Sequence, residues 1–179
     1  MSTLLPAAVP EIPYQRPSES ISSIIERSRP PLYNVDPSKR WLLEIEAAPL
    51  PSVSTLARDE VHLAGFRIYE GTRARSRRIH TDRMVLVAIS SGERREVKGL
   101  AENPVILFVK WSPDGNSIAV LVESTKKVEL WMIDAEEAFG RKLSDVAIHA
   151  GMEHMIAWAG DSKSVWVKTI PENQGLPPV

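Results

Sequence analysis

From residue 82 onward, apolar and polar positions alternate with a period of two, the pattern of strands that turn one face to a core and the other to solvent. Strand-sized segments fall at 82–89, 104–111, 117–123, 127–133, 153–158 and 164–170, and turn residues bound most of them. Ser91-Gly92, Ser112-Pro113-Asp114-Gly115 and Gly160-Asp161-Ser162-Lys163 supply those turns: proline presets φ, glycine accepts positive φ, and aspartate bonds back to the backbone. The pattern predicts an antiparallel meander. No strand alternates with a long amphipathic helix, which argues against a parallel α/β sheet. Upstream, residues 1–17 hold four of the 14 prolines and read as an extended arm. Residues 18–27 place Ile21, Ile24 and Ile25 at helical spacing behind Ser18 as a candidate N-cap, so one short helix is expected before Pro30 and Pro31 stop it.

Three segments can be laid over one another: Val35-Asp-Pro-Ser-Lys-Arg-Trp-Leu-Leu43, Trp111-Ser-Pro-Asp-Gly-Asn-Ser-Ile-Ala-Val120 and Trp158-Ala-Gly-Asp-Ser-Lys-Ser-Val-Trp-Val167. Each reads as a hydrophobic residue, a tight polar turn and an apolar strand. Trp111 and Trp158 stand 47 residues apart, a spacing suited to a four-stranded propeller blade. Val35 and Trp111 stand 76 apart, one blade plus an insertion of about 30 residues placed near 47–81. The expected fold is therefore all-β, a partial β-propeller of antiparallel four-stranded blades, with an extended N-terminal arm and one short helix. Residues 1–30 form the arm and helix, and 31–179 an incomplete propeller of two to three blades. The tryptophans before the turns are expected to pack between blades.

Composition narrows the partners. With 43% hydrophobic and 25% charged residues the chain can bury a core, and its net charge of -1 supplies no global attraction to nucleic acid or an anionic membrane. The absence of cysteine removes disulfides, thiolate metal sites and a cysteine nucleophile. No basic residue precedes the short apolar stretch at the N-terminus, and no run approaches the roughly 20 apolar residues that cross a bilayer. The expectation is a cytoplasmic chain with no cofactor, no metal and no nucleic-acid or membrane partner.

Residues 105–134, with Val-Ile-Leu-Phe-Val-Lys-Trp-Ser-Pro-Asp-Gly-Asn-Ser-Ile-Ala and then Val-Glu-Leu-Trp-Met-Ile-Asp, resemble the propeller blades of prolyl oligopeptidase-family serine peptidases. Tyr14-Gln15-Arg16-Pro17, Leu63-Ala64-Gly65-Phe66-Arg67-Ile68, Ser76-Arg77, Val97-Lys98-Gly99-Leu100 and Lys168-Thr169-Ile170-Pro171 resemble, in order, segments of the branch that contains the glutamyl endopeptidases of plastids and their bacterial relatives. The sequence departs from that pattern at Asp36-Pro37-Ser38-Lys39 and Ala159-Gly160-Asp161-Ser162, and at Arg78-Ile79-His80-Thr81-Asp82, where family members carry an aromatic pair with glycine. The resemblance implies an N-terminal propeller that gates peptide access to an α/β-hydrolase domain, and relatives in plastids or exported from bacteria.

The 179 residues contain no Gly-x-Ser-x-Gly elbow, so the chain alone is not expected to be catalytic. The region from 67 to 83 holds six arginines, Arg67, Arg73, Arg75, Arg77, Arg78 and Arg83. Bidentate guanidinium pairing suits a carboxylate, and Arg67, Arg73, Arg75 and Arg77 are the candidate substrate-binding residues. The competing reading is a solvated loop. His149, Glu153 and His154 lack the spacing of a His-Glu-x-x-His metal motif, and His62 and His80 stand alone. The partners expected are a peptide substrate, a hydrolase domain, and copies of the chain meeting at open blade edges. The rival from another class is a non-enzymatic scaffold, a TolB-like propeller presenting loops to a protein partner; a third reading is a free-standing small β domain.

Overall fold

The computed structural model describes residues 15–27, 29–48, 50–77, 81–101, 104–152, 156–171 and 173. In chain order these form α1 (Glu19–Ile25), β1 (Leu32–Val35), β2 (Trp41–Ala47), α2 (Val53–Leu56), β3 (Glu60–Leu63), β4 (Phe66–Tyr69), β5 (Thr81–Ala88), β6 (Arg94–Glu96), β7 (Val105–Trp111), β8 (Ser117–Glu123), β9 (Val128–Asp134), β10 (Phe139–Ser144), β11 (Ile156–Trp158) and β12 (Val165–Val167). Two antiparallel four-stranded sheets result, β1-β2-β5-β6 and β7-β8-β9-β10, and they share one residue pair, Thr81 with Ile106. A third sheet is the hairpin β11-β12, and the insertion between β2 and β5 carries the hairpin β3-β4. The protein is a partial β-propeller: two blades and the first hairpin of another. Among the described residues no helix is long and apolar enough to cross a membrane.

The alternation along β8 shows why the blades stack. Ile118, Val120 and Val122 face the first sheet, joining Trp41, Leu43, Ile45, Met84, Leu86, Ile106 and Trp111 in one core. Ala119 and Leu121 face the other way, joining Val128, Leu130, Ile148, Ala150 and Ile156 in a second. Val165 and Val167 pack against that second core, while Trp166 between them is 72% exposed. A central strand buried on both faces has no solvent side, so every second residue secures a different neighbour. The far face of the first blade is instead polar: Arg94 grips Glu44, and Arg83 spans Glu46 and Glu96.

Each of the three aligned segments is the first hairpin of its sheet, and the turns share one geometry. Lys39, Gly115 and Ser162 are left-handed, with φ of 60°, 72° and 59°. Their amides donate to the carbonyls of Asp36, Ser112 and Ala159, closing a tight turn followed by a left-handed residue. Asp36 takes over the work of Ser112: its Oδ1 accepts from Trp41 N at 2.8 Å, as Ser112 Oγ accepts from Ser117 N at 3.0 Å. The departures from Ser-Pro-Asp-Gly thus leave the turn unchanged. Neighbouring turns also bond to each other. Arg40 Nη2 donates to Asn116 Oδ1 at 2.6 Å, and Asp114 N donates to Ser162 Oγ at 3.1 Å.

Some sequence expectations shift in the structure. The helix forms, but Ser18 makes no side-chain cap and Ile21, Ile24 and Ile25 are all exposed. Most of the proline arm, residues 1–14, lies outside the described residues. The strand expected at 164–170 shortens to Val165–Val167, and of 153–158 only Ile156–Trp158 is described as strand. Trp111 packs between the two blades as expected, and Trp158 packs against the second core.

Two predictions follow from the turns. At Gly115 an added Cβ would sit 2.3 Å from Asp36 Oδ2 and 2.9 Å from Ser38 Oγ. Gly115→Val should therefore lower stability by about 2–4 kcal/mol, read from the urea midpoint. Burial pushes the Asp36 carboxyl up, but hydrogen bonds from the Ser38 hydroxyl and the amides of Trp41, Arg40 and Ser38 outweigh it and hold it below its ordinary 3.8. A carboxyl depressed in the folded state stabilises fully above about pH 5 and loses that contribution as pH falls through its folded value. The stability gap between the natural chain and Asp36→Asn should thus be constant near neutrality and shrink below about pH 4, measured by denaturation across that range.

Candidate functional site

The insertion between β2 and β5 carries the four candidate arginines, and its geometry begins with local turns. Ser52 Oγ accepts from Thr55 N at 3.1 Å and starts α2. Ala64 and Gly65, with φ of 48° and 82°, form the two-residue turn that joins β3 to β4. In that hairpin Val61 and Leu63 stand opposite Ile68 and Phe66, and Glu60 and His62 opposite Tyr69 and Arg67. One face is therefore apolar and the other charged.

A buried carboxylate anchors the insertion to the second blade. Glu123, 6% exposed at the end of β8, accepts from Arg58 Nη2 at 2.8 Å and from Thr72 Oγ1 at 2.5 Å. Arg58 lies over the ring of Tyr69 at 3.6 Å, and Tyr69 Oη donates to Thr55 O at 3.3 Å. Ala74, fully buried, joins the core between the second blade and the last hairpin. Arg75 Nε then reaches Gly151 O at 3.3 Å.

The arginines do not form one patch. Arg77 Nε donates to Glu60 Oε1 at 3.0 Å, and Arg67 Nη1 lies 3.6 Å from Glu60 Oε2. Burial pushes the Glu60 carboxyl up, but the hydrogen bond from Arg77 and the charges of Arg77 and Arg67 outweigh it and hold it below the usual range. Arg75 lies over the Phe66 ring at 4.5 Å. Arg73 occupies the turn after β4 with φ of 55°, its amide donating to Tyr69 O. Arg83 belongs to the polar face of the first blade. Arg78, His80, Glu153 and His154 lie outside the described residues, and among the described residues no group of three or more His, Asp or Glu is placed to hold a metal ion. The sequence reading missed Glu60, which pairs with Arg67 and Arg77, and Glu123, which pairs with Arg58, because neither carboxylate lies within the arginine-rich stretch.

Arg77 also lines a cavity. It is a space of about 670 Å³ between β1 and β7, walled by Leu32, Ile45, Ile106, Phe108 and Val109, with Tyr33, Asn34, Leu107 and Thr81 completing the lining. A hollow of that size, mostly apolar with few polar groups, has the character of a ligand site.

No protein-family model matches the chain. It is 30% identical over 179 residues to a probable chloroplastic glutamyl endopeptidase of Oryza sativa subsp. japonica, and 29% identical over 178 residues to the protein of the same description in Arabidopsis thaliana; each match covers 92% of this chain. Over nearly its whole length the chain is similar to part of a glutamyl endopeptidase. It spans about a fifth of the length of these curated relatives, 19% and 18% respectively. A solved putative dipeptidyl aminopeptidase IV from Bacteroides ovatus superposes on the propeller region with a TM-score of 0.43 and 10% identity, over 70% of this chain and 19% of that one.

The anchor of the insertion is testable. In Glu123→Gln the ion pair with Arg58 is lost, and the propeller region should release its insertion before its blades. Amide exchange over 66–76 should rise about tenfold, equal to about 1.4 kcal/mol, while exchange in β8 and β9 stays unchanged, measured by hydrogen-exchange mass spectrometry.

Proposed function

We propose that this propeller region gates the access of peptides to the reacting groups of a serine peptidase, which a separate α/β-hydrolase domain would supply. The observation that carries this reading is the match to glutamyl endopeptidases along 92% of the chain. The absence of a Gly-x-Ser-x-Gly elbow from the 179 residues supports giving the region a selecting role and not a chemical one. Stacked blades suit that role physically, since their shared cores make a stiff wall and their loops present selective groups.

The test uses a polypeptide that carries this region together with a domain bearing a serine elbow. Hydrolysis of a single-residue anilide, a peptide of about 20 residues and an unfolded protein is compared before and after Gly115→Val loosens the blades. Anilide turnover should stay within about twofold while cleavage of the unfolded protein rises about fivefold or more, a change in selection without a change in chemistry. An equal effect on all three substrates would make the region a mere support. If a fluorophosphonate probe labels no serine, the peptidase reading gives way to a protein-binding scaffold.

A further inference from the structure

The hairpin β3-β4 turns its apolar side to water. Tyr69 is buried and the Glu60 side chain nearly so, whereas Val61 is 46% exposed, Leu63 64% and Phe66 43%. A surface hairpin ordinarily shows the opposite alternation, and an apolar side left outward suits contact with another chain.

The edge of β3 is open at defined residues. Because Ala64 and Gly65 make a two-residue turn, Leu63 and Phe66 beside it form a hydrogen-bonded pair, and such pairs alternate along the hairpin. Arg67 and Tyr69 therefore direct their backbone groups away from β3. Those groups are used: Ser76 N donates to Arg67 O at 3.0 Å, Tyr69 N donates to Ala74 O at 2.9 Å, and Arg73 N donates to Tyr69 O at 2.8 Å. By the same alternation Glu60 and His62 direct theirs away from β4, and among the described residues no strand pairs with that side of β3. The outer edges of the blades are guarded by comparison. Strand β6 is three charged residues long, and β10 is bonded through Ala138 and Gly140 to Lys98 and then carries Arg141 and Lys142.

We propose that β3 is the docking edge for a second copy of this chain, the two strands pairing antiparallel about a two-fold axis at Val61. Hydrogen-bonded pairs across the contact must join the outward-facing residues, Glu60 and His62. Of the registers that do so, one sets Glu60 against Glu60 and another His62 against His62, like groups in both cases. The register centred on Val61 sets Glu60 against His62 of the second copy and His62 against its Glu60. Carboxylate and imidazole thus meet twice, on the face where Arg67 and Arg77 also approach Glu60. Val61 lies opposite Val61 of the second copy in the closer, non-hydrogen-bonded kind of pair, with Cα atoms about 4.5 Å apart. The apolar sides of the two hairpins become one continuous surface. The pairing is independent of the gating reading.

The chain has no cysteine, so a single introduced thiol reports this contact alone. Under mild oxidation of the full chain, Val61→Cys should form a covalent dimer, since opposed residues at that spacing are within disulfide reach. Leu63→Cys, on the same side and more exposed, should crosslink about tenfold less, because this register holds the two copies of residue 63 about 13 Å apart along the strands. In sedimentation equilibrium without oxidant, His62→Glu should weaken the dimer about tenfold or more, as two attractive pairs turn repulsive together, while His62→Lys should stay within about threefold of the natural chain. A monomer at about 0.5 mM, equal crosslinking of the two cysteine variants, or equal weakening by His62→Glu and His62→Lys would overturn the proposal. Self-association that survives His62→Glu while Val61→Cys stays reduced would also overturn it, and would move the contact to the open blade edges.

Discussion

Everything in this molecule is registered by a left-handed residue at the fourth position of three equivalent turns. That residue closes each first hairpin, and the hairpin register decides which side chains of the second strand face which neighbour. A slip of one residue in β8 would exchange Ile118, Val120 and Val122 with Ala119 and Leu121, placing a branched side chain where the second core holds only the methyl group of Ala119. The turns also bond to one another along one rim, through Arg40, Asn116, Asp114 and Ser162. Alignment within blades and between blades is thus set at the same place.

Charge is handled differently at the two ends of the stack. The first blade covers its far face with its own ion pairs, so that Val85 is buried beneath Glu44 and Arg94 without help from a neighbouring sheet. The insertion does the reverse, bringing a cation to a carboxylate already buried at the end of β8. Such a carboxylate is costly to leave unpaired, so the pairing with Arg58 and Thr72 fixes where the insertion can lie.

Much of the blade pattern could be read from the chain because tight turns and two-sided strands leave local marks. Trp111-Ser-Pro-Asp-Gly is such a mark, and the strand expected at 117–123 coincides with β8. The turn at Asp36-Pro37-Ser38-Lys39 is harder to read, because its geometry survives in different residues: aspartate replaces serine as the acceptor, and lysine bears the strain that glycine avoids. Strands β6 and β10 escaped because outer strands such as Arg94–Glu96 carry mainly polar residues and show weak alternation. The β3-β4 hairpin had a usable signal in Ala64-Gly65 between apolar residues, one that went unread. For the site, the arginines were visible but their sorting was not, since proximity in sequence does not reveal that Arg67 and Arg77 converge on Glu60 or that Arg77 also lines the cavity.

Ala74 gives the insertion a significance beyond its loops. A residue that arrives on a connection between two strands has become part of the packing between two other sheets, with no surface left to solvent. Trimming the connection back to a tight turn would open a hole in a distant core and strand the Glu123 carboxylate at once. The segment is therefore part of the propeller's own packing, and its reach to that core constrains its length while its exposed residues carry no such constraint.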